Sequence, residues 1–375
     1  MESSTGDITA EIFSGAVDNA EEAFLAGLYR GDPYVSGEQP GSGVVKLNTN
    51  ESPYPPGPGV LRALSDFDGR RMRLYPKQDG GSLREAIAAL HGVSVENVFV
   101  GNGSDEVLAL AFRACFGFGS GRPVLFPNIT YSFYPIWCEL FGIPYETVPV
   151  GKDFRLGAEG FTRQNGGIVI CNPNAPTGVA EDSAFLDAII EKNSGNSVVI
   201  VDEAYADFSD FSAIPMTVET PNLLVTRTFS KARSLAGLRL GYAIGSARLI
   251  NALTAAKDSF NSYPVGVVAE ALGVAALADD EYYRFVVDKI RQTRQETADW
   301  LITLGFDVPE SSANFVFMGC GNAARAKEIF QYLKEGGIYV RYFDKPGIND
   351  RLRVSIGKPE DMDTFFGRLE DYIAL

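Results

Sequence analysis

The sequence predicts an α/β fold, with a large domain on a mostly parallel central sheet and a smaller α+β domain after it. Three observations carry this. Short unbroken apolar runs, at 168–171, 198–201 and 222–226 among others, alternate with stretches of helical periodicity, the pattern of parallel strands covered on both faces. Polar residues gather where these runs end, the usual place for a ligand in such sheets. After about residue 265 the style changes to a long helix, 280–304, and strands near 313–318, 337–343 and 351–356 with helices between. The expected division is an N-terminal arm, 1–45, a large domain, 46–265, and a small C-terminal domain, 266–375.

Taken in order, the first 45 residues end glycine-rich and read as an extended arm. Residues 44–47 are a short strand, and the prolines of Ser52-Pro53-Tyr54-Pro55-Pro56 exclude helix there. A short helix is expected over 58–66. A second runs over 82–90, with Ser82 as its cap and Glu85 three positions on. Residues 97–100 form a strand, and Gly101-Asn102-Gly103-Ser104-Asp105-Glu106 turns it into a Ser-capped helix over 107–116. That geometry offers free backbone N–H groups to a phosphate. Further strands follow at 122–126, 168–171, 198–201, 222–226 and 238–244, with helices opening at 130–134 and spanning 181–192.

Composition narrows the function. With 375 residues, 45% apolar and 22% charged, the chain is long enough for two domains and a large core. The net charge of −15 argues against nucleic acid or an anionic membrane as partner. The four cysteines, Cys115, Cys138, Cys171 and Cys320, are widely spaced and indicate neither a zinc site nor a disulfide scaffold. The single histidine, His91, stands before Gly92 at an expected helix end, which excludes His-based metal clusters. No apolar run reaches spanning length and the acidic N-terminal residues do not read as a signal peptide, so a cytoplasmic location is expected. There is neither a dinucleotide fingerprint nor a P-loop.

Chemistry concentrates around Thr226-Arg227-Thr228-Phe229-Ser230-Lys231 and Arg239, eight positions after the lysine. A lysine at a strand mouth can be shielded from water, lose its charge and attack carbonyls. Hydroxyls and an arginine beside it suit a phosphate. Together these specify pyridoxal 5′-phosphate (PLP) held as a Schiff base. Asp202, at the end of the 198–201 strand, is a carboxylate able to pair with the pyridine nitrogen, and Tyr205 follows three residues later. Singly, these residues read equally well as a surface lysine, a helix cap and a rim aromatic. In combination those readings lose weight.

The chain resembles fold-type I PLP-dependent aminotransferases, and within them the histidinol-phosphate aminotransferase family. The resemblance runs from Pro33-Tyr34 through Asn48-Thr49-Asn50-Glu51, Arg73-Leu74-Tyr75-Pro76, Gly101-Asn102-Gly103-Ser104-Asp105-Glu106 and Thr130-Tyr131-Ser132. It continues through Asn172-Pro173-Asn174-Ala175-Pro176-Thr177-Gly178, Asp202-Glu203-Ala204-Tyr205 and the lysine stretch to Arg351-Leu352-Arg353.

The resemblance implies that Lys231 carries the cofactor and moves a proton at the substrate Cα. It implies that Asp202 pairs with the pyridine nitrogen, Tyr205 meets the phenolic oxygen and Tyr131 stacks on the ring. Gly103, Ser104, Asp105, Thr228, Ser230 and Arg239 match the surroundings of the phosphate, Asp105 as the residue that holds the helix start. Tyr75 matches a residue that reaches the phosphate of the neighbouring subunit, which implies a homodimer with shared sites. Tyr34, Asn50 and Arg353 match substrate-pocket residues, Arg353 as the holder of an anionic group. Ala175 departs from the family, which often has an asparagine there donating to the phenolic oxygen. The implied activity exchanges an amino group between L-histidinol phosphate and 2-oxoglutarate, a step of histidine biosynthesis. The alternative is another PLP enzyme on this scaffold, such as an aromatic amino acid aminotransferase or a phospho-amino-acid decarboxylase.

Overall fold

The computed structural model describes residue 28, residues 31–118 and residues 121–375. Most of the expected arm, including the acidic N-terminal residues, therefore lies outside the described residues. The chain divides into two compact units, residues 1–35 and 36–375. Within the first, residues 31–35 carry no regular secondary structure.

The second unit is organised by a seven-stranded sheet. Its strands are β2 (Val98–Gly101), β3 (Val124–Pro127), β4 (Tyr145–Val148), β5 (Gly167–Cys171), β6 (Val199–Asp202), β7 (Leu223–Thr228) and β8 (Gly241–Gly245), after a two-residue β1 (Val45–Lys46) outside it. Their order is β2-β8-β7-β6-β5-β3-β4. The pairings β3–β4, β3–β5, β5–β6 and β6–β7 are parallel, and β8 alone runs antiparallel to both neighbours. The sheet is thus mostly parallel, as expected, and β4 is a strand that the sequence reading passed over. Strand β4 lies at the sheet edge and exposes Glu146 and Thr147, so it lacks the continuous apolar run that marks the buried strands.

Strand alternation builds two apolar layers. Val98, Val100, Ile168, Ile170, Val199, Val201, Leu223 and Val225 face one, while Phe99, Val169, Ile200 and Leu224 face the other. Helices cover both. They are α1 (Pro58–Ser65), α2 (Gly81–His91), α3 (Gly103–Phe116), α4 (Phe133–Phe141), α5 (Ser183–Asn193), α6 (Ala247–Asp258), α7 (Val267–Ala278) and α8 (Asp280–Thr303).

A second sheet, in the order β11-β12-β9, joins β9 (Phe315–Gly319), β11 (Arg341–Tyr342) and β12 (Arg351–Ser355) in antiparallel pairs, with α9 (Ala323–Glu335) and α10 (Pro359–Ile373) beside it in sequence. Strand β10 (Ile338–Tyr339) pairs instead with β1, which ties the segment before residue 50 to the C-terminal part of the chain.

Two expected caps differ. Helix α2 starts after Gly80, and the Ser82 hydroxyl and N–H both go to Glu270 on α7. The tertiary contact competes successfully with local capping. Helix α3 starts at Gly103, four residues before the expected position, so Ser104 lies within its first turn. Glu106 accepts from the Asn102 N–H at 2.6 Å and closes that helix end. His91 sits at a helix end before a left-handed Gly92, as expected, and its Nε2 lies 2.9 Å from the Tyr242 hydroxyl. Burial lowers His91 to about 4.

Candidate active site

Four strand ends deliver the functional side chains to one region. Strand β2 ends in the turn to α3, and Gly103 there has φ +86. A Cβ on Gly103 would stand 2.5 Å from Arg239 Nη2, and one on Gly241 would stand 2.4 Å from the Ser104 nitrogen. Both positions need glycine, so that the helix start, β8 and Arg239 can close on each other. The first-turn N–H groups of α3 have no carbonyl within the helix to receive them. Facing them are the Thr228 and Ser230 hydroxyls, 3.0 Å apart, and Arg239, whose Nη1 lies 3.4 Å from Ser230 Oγ. Free N–H groups, two hydroxyls and a guanidinium form a cradle for a phosphate dianion.

Asp105 serves this cradle differently from expectation. Its carboxylate takes the Tyr131 hydroxyl at 2.9 Å and Arg239 Nη2 at 3.3 Å. It aims the arginine and the tyrosine and leaves the helix start to Glu106.

Strand β6 ends in Asp202, which is 3% exposed. Tyr134 on α4 donates its hydroxyl to Asp202 Oδ2 at 2.8 Å, and the Ala204 N–H reaches Oδ1 at 3.2 Å. Burial pushes this carboxyl up to about 6, against the hydrogen bonds that hold it down. Tyr134 was missed in sequence. Its signal was its position three residues after Tyr131, which places both aromatics on one side of the same segment; their rings meet edge to face at 5.7 Å.

Lys231 follows β7, and its Nζ lies 5.7 Å from the Tyr205 ring centre and donates to the Thr49 carbonyl at 3.2 Å. Burial first, and the positive charge of Arg353 second, lower its ammonium to about 8. Within the lysine stretch the strand alternates. Thr226 turns toward Asp202 at 3.4 Å, whereas Arg227 turns to the opposite face, where it pairs with Glu203 and Asp207, each at 2.8 Å.

Asn50, read as a pocket residue, is 1% exposed. Its amide donates to the Tyr205 hydroxyl at 3.0 Å and its Oδ1 accepts from Ser355 at 2.8 Å. It acts on the site through Tyr205 and is not an open lining group. Arg353 donates to the Asn48 carbonyl at 2.9 Å and lies over Phe315 at 5.3 Å. Ala175 is buried, and both neighbouring asparagine amides are engaged. Asn172 donates to the Glu181 carbonyl, and Asn174 donates to the Ile129 carbonyl and Thr177. Tyr75 is 81% exposed and stacks on Tyr263 at 4.7 Å, away from this chain's cradle. Tyr34 belongs to the N-terminal unit.

A half-buried lysine, a tyrosine-buttressed carboxylate and a phosphate cradle, all at strand ends of this sheet, define a class, and the comparisons match it. Residues 42–369 match the family model described as aminotransferase class I and II. The solved histidinol-phosphate aminotransferase of Sinorhizobium meliloti, a complex with pyridoxal 5′-phosphate, is 27% identical with a TM-score of 0.79, covering 94% of this chain and 96% of that one. An aspartate aminotransferase from Thermotoga maritima, 24% identical over 89% of this chain and 92% of its own, shares the fold with a TM-score of 0.76.

The chain belongs to the aminotransferase class I and II family. Its kinship within that class is with histidinol-phosphate aminotransferases. The enzyme of that name from Chromohalobacter salexigens is 49% identical over 90% of this chain and 95% of its own length. The one from Lactococcus lactis subsp. cremoris is 44% identical over 92% and 96%.

Proposed function

We propose that this chain transfers an amino group between L-histidinol phosphate and 2-oxoglutarate with PLP as cofactor, in histidine biosynthesis. The observation that carries the reading is the convergence, at one end of the sheet, of the half-buried Lys231 amine, the buried Asp202 carboxylate and the anion cradle, with burial lowering the amine toward its neutral form. The residues present fit the cofactor. Gly103 leaves space that a Cβ would fill, the Thr228, Ser230 and Arg239 donors suit a phosphate, and Asp202 is a buried acid whose charge needs a cationic partner. When bound, PLP supplies a carbonyl that condenses with amines and a ring that accepts electrons.

The chain's own groups do the rest. Lys231 Nζ would hold the cofactor and, once free, would take the proton from the substrate Cα, since an amine lowered to about 8 is a competent base. Asp202, held by Tyr134, would pair with the ring nitrogen and keep it protonated. Tyr205 would donate to the phenolic oxygen and Tyr131 would stack on the ring. Arg353 binds the phosphate of one substrate and a carboxylate of the other. Both are anions that a guanidinium can grip in bidentate fashion.

The reading extends to assembly and place. The exposure of Tyr75 supports a homodimer in which it serves the partner's cradle. The division at residues 46–265 and 266–375 is supported by two separate sheets. A cytoplasmic location suits a biosynthetic enzyme with small-molecule substrates.

A coupled transaminase assay with L-histidinol phosphate, aromatic amino acids and aspartate tests the function. Turnover of the phosphorylated amine at least tenfold above the others is expected, along with its loss in Lys231→Ala. Equal or better turnover of aromatic amino acids would replace this reading with the alternative.

A further inference from the structure

The Tyr205 hydroxyl has one proton, and the structure constrains where it points. A phenol donates once and accepts from others. Asn50 Nδ2 lies 3.0 Å from Tyr205 Oη. An amide nitrogen can only donate, so Tyr205 is the acceptor in this contact and its proton lies elsewhere.

The orientation of the Asn50 amide follows from its partners. Ser355 Oγ receives the Asn50 backbone N–H at 2.9 Å and returns its own proton to Asn50 Oδ1 at 2.8 Å. Turning the amide over would set its oxygen against Tyr205 and its NH₂ against a serine oxygen that already receives one N–H. The observed orientation pairs both ends of the amide and uses the serine proton, leaving the Tyr205 proton for a partner outside the knot. The backbone is pinned as well. Asn50 has φ +56, a left-handed conformation that asparagine tolerates better than most residues, and its carbonyl accepts from buried Asn314 at 2.9 Å. The other amides of the 172–178 loop are committed elsewhere, Asn172 to the Glu181 carbonyl and Asn174 to the Ile129 carbonyl and Thr177.

We propose that Asn50 is a positioning residue that holds Tyr205 as a proton donor toward the cofactor's phenolic oxygen, with Ser355 as the lock on Asn50. The proposal rests on the PLP reading above. The lock sits on the strand that carries Arg353. Residues 353 and 355 share a face of β12 and reach the same short loop, Arg353 at the Asn48 carbonyl and Ser355 at Asn50. The substrate-anion arginine and the cofactor's tyrosine are therefore fastened to one segment.

The test is a pH titration of the visible absorbance of PLP-saturated protein for wild type, Tyr205→Phe, Asn50→Gly, Ser355→Ala and the double variant Asn50→Gly/Tyr205→Phe. Glycine tolerates the left-handed backbone and, like alanine at 355, adds no charge. The charged groups around Tyr205, namely Lys231, Arg353 and Asp202, and the Cys171 thiol stay in place. Loss of a donor leaves more charge on the phenolic oxygen, which retains a neighbouring proton to higher pH. Tyr205→Phe should raise the midpoint. Asn50→Gly should raise it by roughly 0.5–1 pH unit, the worth of one hydrogen bond. Ser355→Ala should move it the same way by less, and Asn50→Gly should add nothing once Tyr205 is phenylalanine. If Asn50→Gly fails to fold, Ser355→Ala carries the test. A Tyr205→Phe shift without any shift in Asn50→Gly and Ser355→Ala overturns the inference alone, as does full additivity in the double variant. A wild type that takes up no PLP, or a midpoint indifferent to Tyr205→Phe, overturns the underlying site reading.

Discussion

Tyr134 Oη lies 2.8 Å from Asp202 Oδ2, with the tyrosine fully buried and the aspartate nearly so. An acid in that setting is costly to ionise without donors or a cation. Burial has already moved it to about 6, and Tyr134 is the strongest of the groups holding it down.

Tyr134→Phe keeps the ring packing and removes the donor. Asp202 then rises further, and its hold on a protonated ring nitrogen weakens. A hydrogen bond to a charged group is worth roughly 1.5–3 kcal/mol, so the PLP dissociation constant should rise about tenfold or more. Equilibrium titration of cofactor-free protein checks this, and an unchanged constant would mean that Thr226 and Ala204 suffice.

Capture of PLP should follow the neutral fraction of Lys231. Its amine titrates near 8 instead of 10.5, so the uptake rate should climb between about pH 7 and 9 and level off above. Arg353 lowers that value by its charge. Arg353→Met should therefore move the midpoint upward, because the ammonium loses a repelling neighbour. Stopped-flow absorbance over a pH series measures both. A downward shift in Arg353→Met would contradict the assignment.

On the opposite face of the sheet, Arg227 joins Glu203, Asp207 and Ser212, and Tyr283 donates to Asp207 at 2.7 Å. Arg227→Met leaves two acids without their cation next to the core. Breaking such a network by removing one partner costs about 3–5 kcal/mol. Urea denaturation should show that loss, while the absorbance of any PLP-loaded protein that remains folded stays close to wild type.

Tyr75 tests the proposed shared site. Tyr75→Phe should weaken PLP retention while a lysine-attached cofactor, trapped by borohydride, is still recovered. Co-refolding inactive Tyr75→Ala with inactive Lys231→Ala should restore activity, since a hybrid dimer holds one intact site. A fully active monomer at low concentration would end the dimer reading.

Much of the site was legible in one dimension. The lysine after Thr-Phe-Ser, the strand-end Asp202 and the Gly103 turn follow strand ends, and Arg239 precedes antiparallel β8, whose start lies beside the end of β7, so the topology collects them in one place. Apolar runs named the buried strands for the same reason, because a strand covered on both faces must be apolar throughout. Edge strand β4 escaped because its middle residues, Glu146 and Thr147, are exposed on opposite faces and break the apolar run.

The sequence by itself determined the fold class and pointed to the candidate nucleophile and acid, since each depends on residue type and local spacing. Tertiary structure decided the second rank of residues. Ser82 went to Glu270 instead of its own helix, Asp105 to Tyr131 and Arg239, and Asn50 to Tyr205 and Ser355, the last across 155 and 305 positions. Short polar side chains satisfy their hydrogen bonds with whichever partner the packed chain brings near, and local spacing carries no record of that choice.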